Sequence, residues 1–156
     1  MRKMKDGVSI MFITNKVYEA IVNNVPDVFL ESGGIIGGYH NIIYFVEFDN
    51  GIHNRSVFKC HYTPDVKYLN RCIKAWRKRR IDFYGIFHTH FYGVSTLSEG
   101  DKQYIKRIMQ SMPDSKTVLY FLIVVLPERE IVSYICVRNN GKITITEDSI
   151  IIVQEI

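Results

Sequence analysis

Cysteine is scarce in this sequence of 156 residues, which contains only Cys60, Cys72 and Cys136 and no C-x-x-C pair. Any disulfide would leave one thiol over, so the chain does not have the even set typical of a disulfide framework. The count therefore favours a reducing compartment in which the thiols are buried.

Long apolar runs are also absent. The longest is VLYFLIVVL at residues 118–126, which has nine residues, about half of what a membrane helix needs. The start of the chain is basic and then apolar, as in a signal peptide, but the apolar stretch is only six residues long and no small-residue cleavage site follows. We therefore predict neither a membrane protein nor a signal peptide, and we expect a cytoplasmic protein.

Charge of one sign is not in large excess, because the net charge is only +4. A compact basic run, KAWRKRR, does occupy residues 74–80. On an amphipathic helix Trp76 would face the core and the cations would face water, or alternatively an acidic protein partner. Nucleic-acid binding is disfavoured, since such a patch would need further aromatic residues or a recognised motif.

The apolar material that is present suffices for a folded domain. Hydrophobic residues make up 47% of the chain and aromatic residues 13%, enough for a sizeable core. Single domains most often have about 100–150 residues. We therefore predict a single domain over residues 1–156.

Helical and strand patterns alternate along the chain. Three segments have the apolar spacing of amphipathic helices, at residues 14–25 (capped by Thr14), 65–80 and 98–112. Predicted strands lie at 41–61 (two strands around Asn50-Gly51), 81–90, 117–126, 129–146 (a hairpin around Asn140-Gly141) and 149–156. Strands mixed with three helices predict an α/β or α+β domain built on one mixed β-sheet.

The stretch GIFHTHFYGVSTLSEGD, residues 85–101, contains a candidate metal site. Side chains two apart on a strand point to the same face, so His88 and His90 could aim both imidazoles at one ion. Asp101 is the nearest third ligand, because the loop at 91–100 can return the chain to the strand end. The alternative is a plain strand end followed by a capping box, in which Ser98-x-x-Asp101 begins a helix.

The three other histidines are weaker candidates for metal binding. His40, His53 and His61 lie singly on predicted strands or turns, without partners at ligand spacing. We assign them structural roles.

A second informative stretch is FLESGGIIGG at residues 29–38, where Glu31 precedes two Gly-Gly pairs. The glycines allow close backbone approach or unusual dihedral angles. They do not fit a phosphate-binding loop, because neither G-x-x-x-x-G-K nor G-x-G-x-x-G is present. Taken alone, Glu31 could equally be a surface acid.

Together the two stretches resemble the JAMM motif of the MPN/JAB domain family of zinc metallopeptidases. Glu31 with SGGIIGG is followed by His88-x-His90, seven residues, and then Ser98-x-x-Asp101. The His, Ser and Asp spacing matches the family pattern in full, and the predicted elements follow the family's order across nearly the whole chain. The resemblance implies the MPN/JAB architecture, which is cytidine-deaminase-like.

The resemblance also implies a role for each motif residue. His88, His90 and Asp101 would bind one Zn²⁺ per chain, leaving a position for water. Glu31 would be the general acid/base for that water. Ser98 would help to stabilise the oxyanion of the tetrahedral intermediate.

The implied reaction is hydrolysis of a peptide or isopeptide amide. The expected substrate is a ubiquitin-like or sulfur-carrier protein, cleaved after the Gly-Gly of its extended C-terminal tail, as in the compact prokaryotic or phage members of the family. The alternative is a non-catalytic MPN scaffold that binds a protein partner, and a homodimer is left open. One position departs from the family pattern: Phe91 stands where many members have Pro, so that Phe91 and Tyr92 form either an apolar lip or part of the core.

Overall fold

The computed structural model describes residues 4–5, 8–25, 31–52 and 62–155. Its helices are α1 (Asn15–Asn24), α2 (Val66–Lys78) and α3 (Glu99–Ser111). Its strands are β1 (Met4–Lys5), β2 (Val8–Ser9), β3 (Met11–Thr14), β4 (Gly33–Tyr39), β5 (Ile42–Asp49), β6 (Asp82–His90), β7 (Val118–Val125), β8 (Glu130–Asn139), β9 (Lys142–Asp148) and β10 (Ile150–Val153). No helix in these described ranges combines the length and apolar character needed to cross a membrane.

Eight strands form one mixed sheet in the order β10-β3-β5-β4-β6-β7-β8-β9, beside a two-stranded ribbon of β1 and β2. The pairs β10/β3, β3/β5 and β6/β7 are parallel and the others are antiparallel. Only Ser149 separates β9 from β10, although these strands are the two edges of the sheet. The sheet must therefore curl until its edges approach each other at that point. This is the predicted α/β fold of one mixed sheet with three helices.

Most predicted elements are confirmed. Helix α1 is capped by Thr14, whose hydroxyl accepts the Val17 N–H. The second hairpin turns at Asn140-Gly141, both with positive φ. In the first predicted hairpin β5 is confirmed, whereas the second strand, with His53, Cys60 and His61, lies outside the described residues.

Strand β4, like β1, β2 and β3, was not predicted by the sequence analysis, although it lies at the centre of the sheet. Glycine disfavours strands because it loses the most backbone entropy and offers no side chain to pack. Here the missing side chains leave room for aromatic rings: an ideal Cβ at Gly33 would be 2.6 Å from the Tyr62 ring, and one at Gly37 would be 2.6 Å from the Trp76 ring. The Gly-Gly pairs thus serve close approach, one of the two roles expected for them.

The two faces of the sheet bury separate cores. One core lies under α1 and includes Ile21, Phe87 and Leu122. The other lies under α2 and α3 and includes Trp76 and Ile105. The prediction that Trp76 faces inward is therefore confirmed.

Candidate metal centre

The two histidines of the motif end β6 on the face covered by α2 and α3. Ile86 belongs to the core of that face and Phe87 to the opposite core, so strand alternation directs His88 and His90 to the Ile86 side. Both histidines are 9% exposed. The His88 ring meets the Phe121 ring edge-on at 4.8 Å between centroids. Both imidazoles are thus largely buried, and one of them lies against an aromatic ring.

The first turn of α3 brings a carboxylate to the same place. Ser98 caps the helix: its Oγ accepts the Asp101 N–H at 3.0 Å, and its own N–H donates to Asp101 Oδ2 at 2.9 Å. This reciprocal pair is the predicted capping box, and it fixes the Asp101 side chain. Cap and metal site are therefore compatible uses of one carboxylate.

The ligand-type atoms of His88, His90 and Asp101 all lie within 4.8 Å of one another. Nε2 of His90 is 3.3 Å from Asp101 Oδ2, and Nε2 of His88 is 3.7 Å from Asp101 Oδ1. The two Nε2 atoms are 2.6 Å apart. Two nitrogens this close can share only one proton, so at least one lone pair points into the cluster. Two imidazoles and one carboxylate form a donor set that suits zinc, and among the described residues this is the one group that could hold a metal ion.

Burial and charge set the protonation of the cluster. Burial lowers the pKa of His88 to about 4, against the opposing charge of Asp101. Burial would also lower the pKa of His90, but hydrogen bonding to Asp101 and the charges of Asp101 and Glu31 raise it overall. Burial acts to raise the pKa of Asp101, but the hydrogen bond to His90, the charge of His88 and the bonds to Ser98 bring it down to about 2. His88 is therefore neutral and Asp101 ionised near pH 7, the forms in which these side chains bind metals.

The loop after β6 orients the second imidazole. Nδ1 of His90 lies 3.2 Å from the Val94 carbonyl oxygen. A neutral ring that donates its Nδ1–H there carries its lone pair on Nε2, the atom that faces the cluster. The loop itself is tied down, since Tyr134 donates its hydroxyl to the Ser95 carbonyl at 2.8 Å and Gly93 donates its N–H to the Leu126 carbonyl at 3.0 Å.

The pairing of β4 with β6 determines where Glu31 lies. Gly33 is the register partner of His88, and Ser32 and Thr89 exchange hydrogen bonds next to that pair. One residue further, Glu31 falls opposite His90 and on the same face by strand alternation. Its charge contributes to the raised pKa of His90. The structure therefore brings Glu31 to the edge of the cluster.

Sequence reasoning missed Tyr62 and Asp49, which support Glu31. The Tyr62 N–H donates to Glu31 Oε2 at 3.3 Å, and the Tyr62 ring lies 6.3 Å from the His88 ring. The Tyr62 hydroxyl donates to Asp49 Oδ2 at 2.7 Å, and Asp49 also accepts the N–H groups of Gly51 and Asp65. Burial, followed by this hydrogen bond, raises the pKa of Tyr62 and keeps the phenol protonated. No local sequence pattern connects these residues, because they meet only through the tertiary fold.

The structure also shows the surroundings of Ser98 and of the Phe91-Tyr92 pair. The Ser98 hydroxyl and N–H both bond to Asp101, its carbonyl oxygen accepts the Lys102 N–H, and the residue is exposed. Phe91 packs against the core under α1, whereas Tyr92 is 82% exposed. The prediction that this pair is part of the core is therefore confirmed for Phe91, which is partly buried, but not for Tyr92.

His40 occupies the turn between β4 and β5, where its φ is +55°. Among the residues that the structure describes, it belongs to no group of metal ligands.

No family model matches the sequence, and no curated protein matches it. Solved structures match in fold. The solution structure of protein DSY2949 from Desulfitobacterium hafniense is 20% identical with a TM-score of 0.66, over 93% of this chain and 94% of that chain. The crystal structure of AF2198, a JAB1/MPN domain protein from Archaeoglobus fulgidus, is 17% identical with a TM-score of 0.50, over 90% of this chain and 99% of that chain. The fold is thus similar to that of a JAB1/MPN domain protein.

Proposed function

We propose that this protein is a zinc-dependent metallopeptidase that hydrolyses a peptide or isopeptide amide. The observation that supports the proposal is the convergence of His88, His90 and Asp101, with Glu31 beside them on the same face. A bound zinc ion would act there as a Lewis acid and would lower the pKa of a water molecule to near 7.

Glu31 is the proposed general acid/base of the reaction. Glu31 accepts the proton of the attacking water and returns it to the leaving amine. A carboxylate has about four lone-pair sites, so accepting the Tyr62 N–H leaves Glu31 able to accept a water proton as well. The Tyr62 contact fixes the direction of the carboxylate.

Ser98 is proposed to donate its hydroxyl to the developing oxyanion. Its oxygen already accepts the Asp101 N–H, which leaves the hydroxyl proton for another acceptor. A donor held in place by a helix cap needs little rearrangement during the reaction, which favours transition-state stabilisation.

The proposed substrate is a ubiquitin-like or sulfur-carrier protein, cleaved after the Gly-Gly end of its extended C-terminal tail. This part rests on the resemblance of the motif to the JAMM family. The proposal that the enzyme works in the cytoplasm rests on the scarcity of cysteine.

Metal content is the first test. Protein purified without added metal is analysed by elemental analysis, comparing wild type with His88→Ala and Asp101→Ala. His40→Ala is the matched control, because it removes a histidine from outside the cluster. We expect about one zinc per chain in wild type and control, and loss of the metal in both cluster variants. If the wild type holds no metal and takes up no added zinc, the proposal is wrong.

Hydrolysis is tested next with fusions linked through Gly-Gly to a ubiquitin-like or sulfur-carrier protein. Glu31→Gln should retain zinc but lower kcat/KM by at least about 100-fold, the lower range for loss of general acid–base catalysis. Zinc binding without turnover of any amide substrate by the wild type would favour the non-catalytic scaffold instead.

A further inference from the structure

A groove between α2 and α3 lies next to the candidate metal centre. It consists of two adjoining cavities of about 460 and 440 Å³ that share Ile73, Phe83 and Met112. These volumes fall within the range typical of ligand sites. The floor of the first cavity contains Ile35 and Ile86, which are register partners on β4 and β6.

The groove leads towards the metal cluster. Ile35 and Ile86 lie two residues along their strands from Gly33 and His88, or about 6.6 Å. Tyr104, on the α3 wall, follows Asp101 by one helical turn. A molecule bound in the groove would therefore lie close to the cluster.

The rim of the groove is strongly basic. Arg77, Arg80, Arg107 and Lys116 line it, against one acid, Asp82. The segment from Val66 to Ile81 contains seven Lys and Arg residues and no Asp or Glu. In the described part of the chain, none of the three lining arginines forms a salt bridge. These three guanidinium groups can therefore pair with carboxylates of a partner.

An apolar floor with a basic rim favours a ligand that has both apolar and acidic side chains. The floor and walls would be covered by Leu, Ile or Phe side chains, and the arginines would pair with carboxylates at the edge. A nucleic acid would engage the rim through phosphates but would leave the apolar floor uncovered. We propose that this groove binds a protein segment whose apolar residues are flanked by Asp and Glu. The inference does not rest on the proposed hydrolysis, because it holds equally for an enzyme and for a scaffold.

The probe is a phage-displayed library of random peptides of about 16 residues, long enough for a helix of several turns. Peptides enriched on the wild type are synthesised, and their Kd is measured by fluorescence anisotropy. We expect enriched peptides to combine apolar residues with Asp and Glu, and their binding to weaken as salt is raised. No enrichment, or enrichment without acidic residues, would overturn the proposal.

Groove variants locate the binding. Arg77→Glu combined with Arg107→Glu should weaken binding by at least about 10-fold, or 1.4 kcal/mol. Val66→Ser removes an apolar side chain that is 52% exposed and should also weaken it. The matched control combines Lys16→Glu with Lys142→Glu, two exposed positions outside the groove lining, and changes net charge equally. Equal Kd values for the groove and control variants would contradict the proposal.

Two further experiments distinguish a peptide site from a nucleic-acid site, and the groove from the metal site. Labelled single-stranded DNA and RNA of mixed sequence are tested for competition with the peptide. Tight nucleic-acid binding that is lost with the arginines but kept in Val66→Ser would replace the peptide proposal with a nucleic-acid site. The peptide is also measured against His88→Ala, which should bind it with unchanged Kd, so that failure of the metal site and failure of the groove are distinguishable.

Discussion

Phe87 and His88 are neighbours on β6, but they face opposite sides of the sheet and very different surroundings. Phe87 is fully buried under α1, where Met11, Ile13 and Ile21 are also fully buried. His88 faces the side of α2 and α3, which holds the metal-ligand cluster and an apolar groove. The Phe87 side chain thus serves packing, whereas His88 belongs to a polar cluster beside a groove. Both faces bury a core, so the difference between them lies in the candidate site and the groove, which belong to the face of α2 and α3.

Substitution of the two neighbours should separate these roles most strongly. Phe87→Ala removes a ring that packs against Phe48 and should lower the free energy of unfolding by about 3–5 kcal/mol. His88→Ala, measured with a chelator present, should lower it far less, while it removes zinc binding. Urea denaturation of both variants measures the difference. Equal losses of stability would contradict the assignment of packing to Phe87 and of metal binding to His88.

Arg138 tests how the functional face is held together. Its guanidinium donates to the carbonyl oxygens of Met109, Pro113 and Lys116, where α3 ends. Arg138→Met leaves these carbonyls without the cation and should cost about 2–4 kcal/mol, since hydrogen bonds from charged groups are the stronger ones. Arg71→Met, at an exposed position on α2, is the control and should change stability by less than about 0.5 kcal/mol. Thermal and urea unfolding would show whether the two variants differ.

The smallest expected effect on stability concerns the cap that orients Asp101. Ser98→Ala removes the acceptor for the Asp101 N–H and should cost about 1 kcal/mol, whereas Ser98→Thr should retain most of that stability. Because the cap also fixes a proposed metal ligand, zinc affinity should fall by about 10–100-fold in Ser98→Ala. Competition with a chromophoric chelator measures it. Unchanged affinity would mean that Asp101 keeps its orientation without the cap.

The parts of the fold predicted best were those encoded by neighbouring residues. Thr14 and Ser98 cap their helices through contacts three residues away, and Asn140-Gly141 forms its turn from two adjacent residues. Strand β4 was not predicted, because its four glycines disfavour a strand by local propensity. Its place is set instead by β5 and β6 on either side and by the aromatic rings packed over it.

In the candidate site, too, some features follow from local sequence and others only from the tertiary structure. The sequence by itself determined the chemical types and the spacing of His88, His90 and Asp101, because strand alternation and a capping box are local patterns. Only the tertiary structure decided that Glu31 lies opposite His90, that Tyr62 and Asp49 support it, and that a basic groove adjoins the cluster. The position of Glu31 depends on the register between β4 and β6, next to which Ser32 and Thr89, 57 positions apart, are hydrogen-bonded. Register over such a separation is fixed by packing of the whole sheet, which no short stretch of sequence encodes.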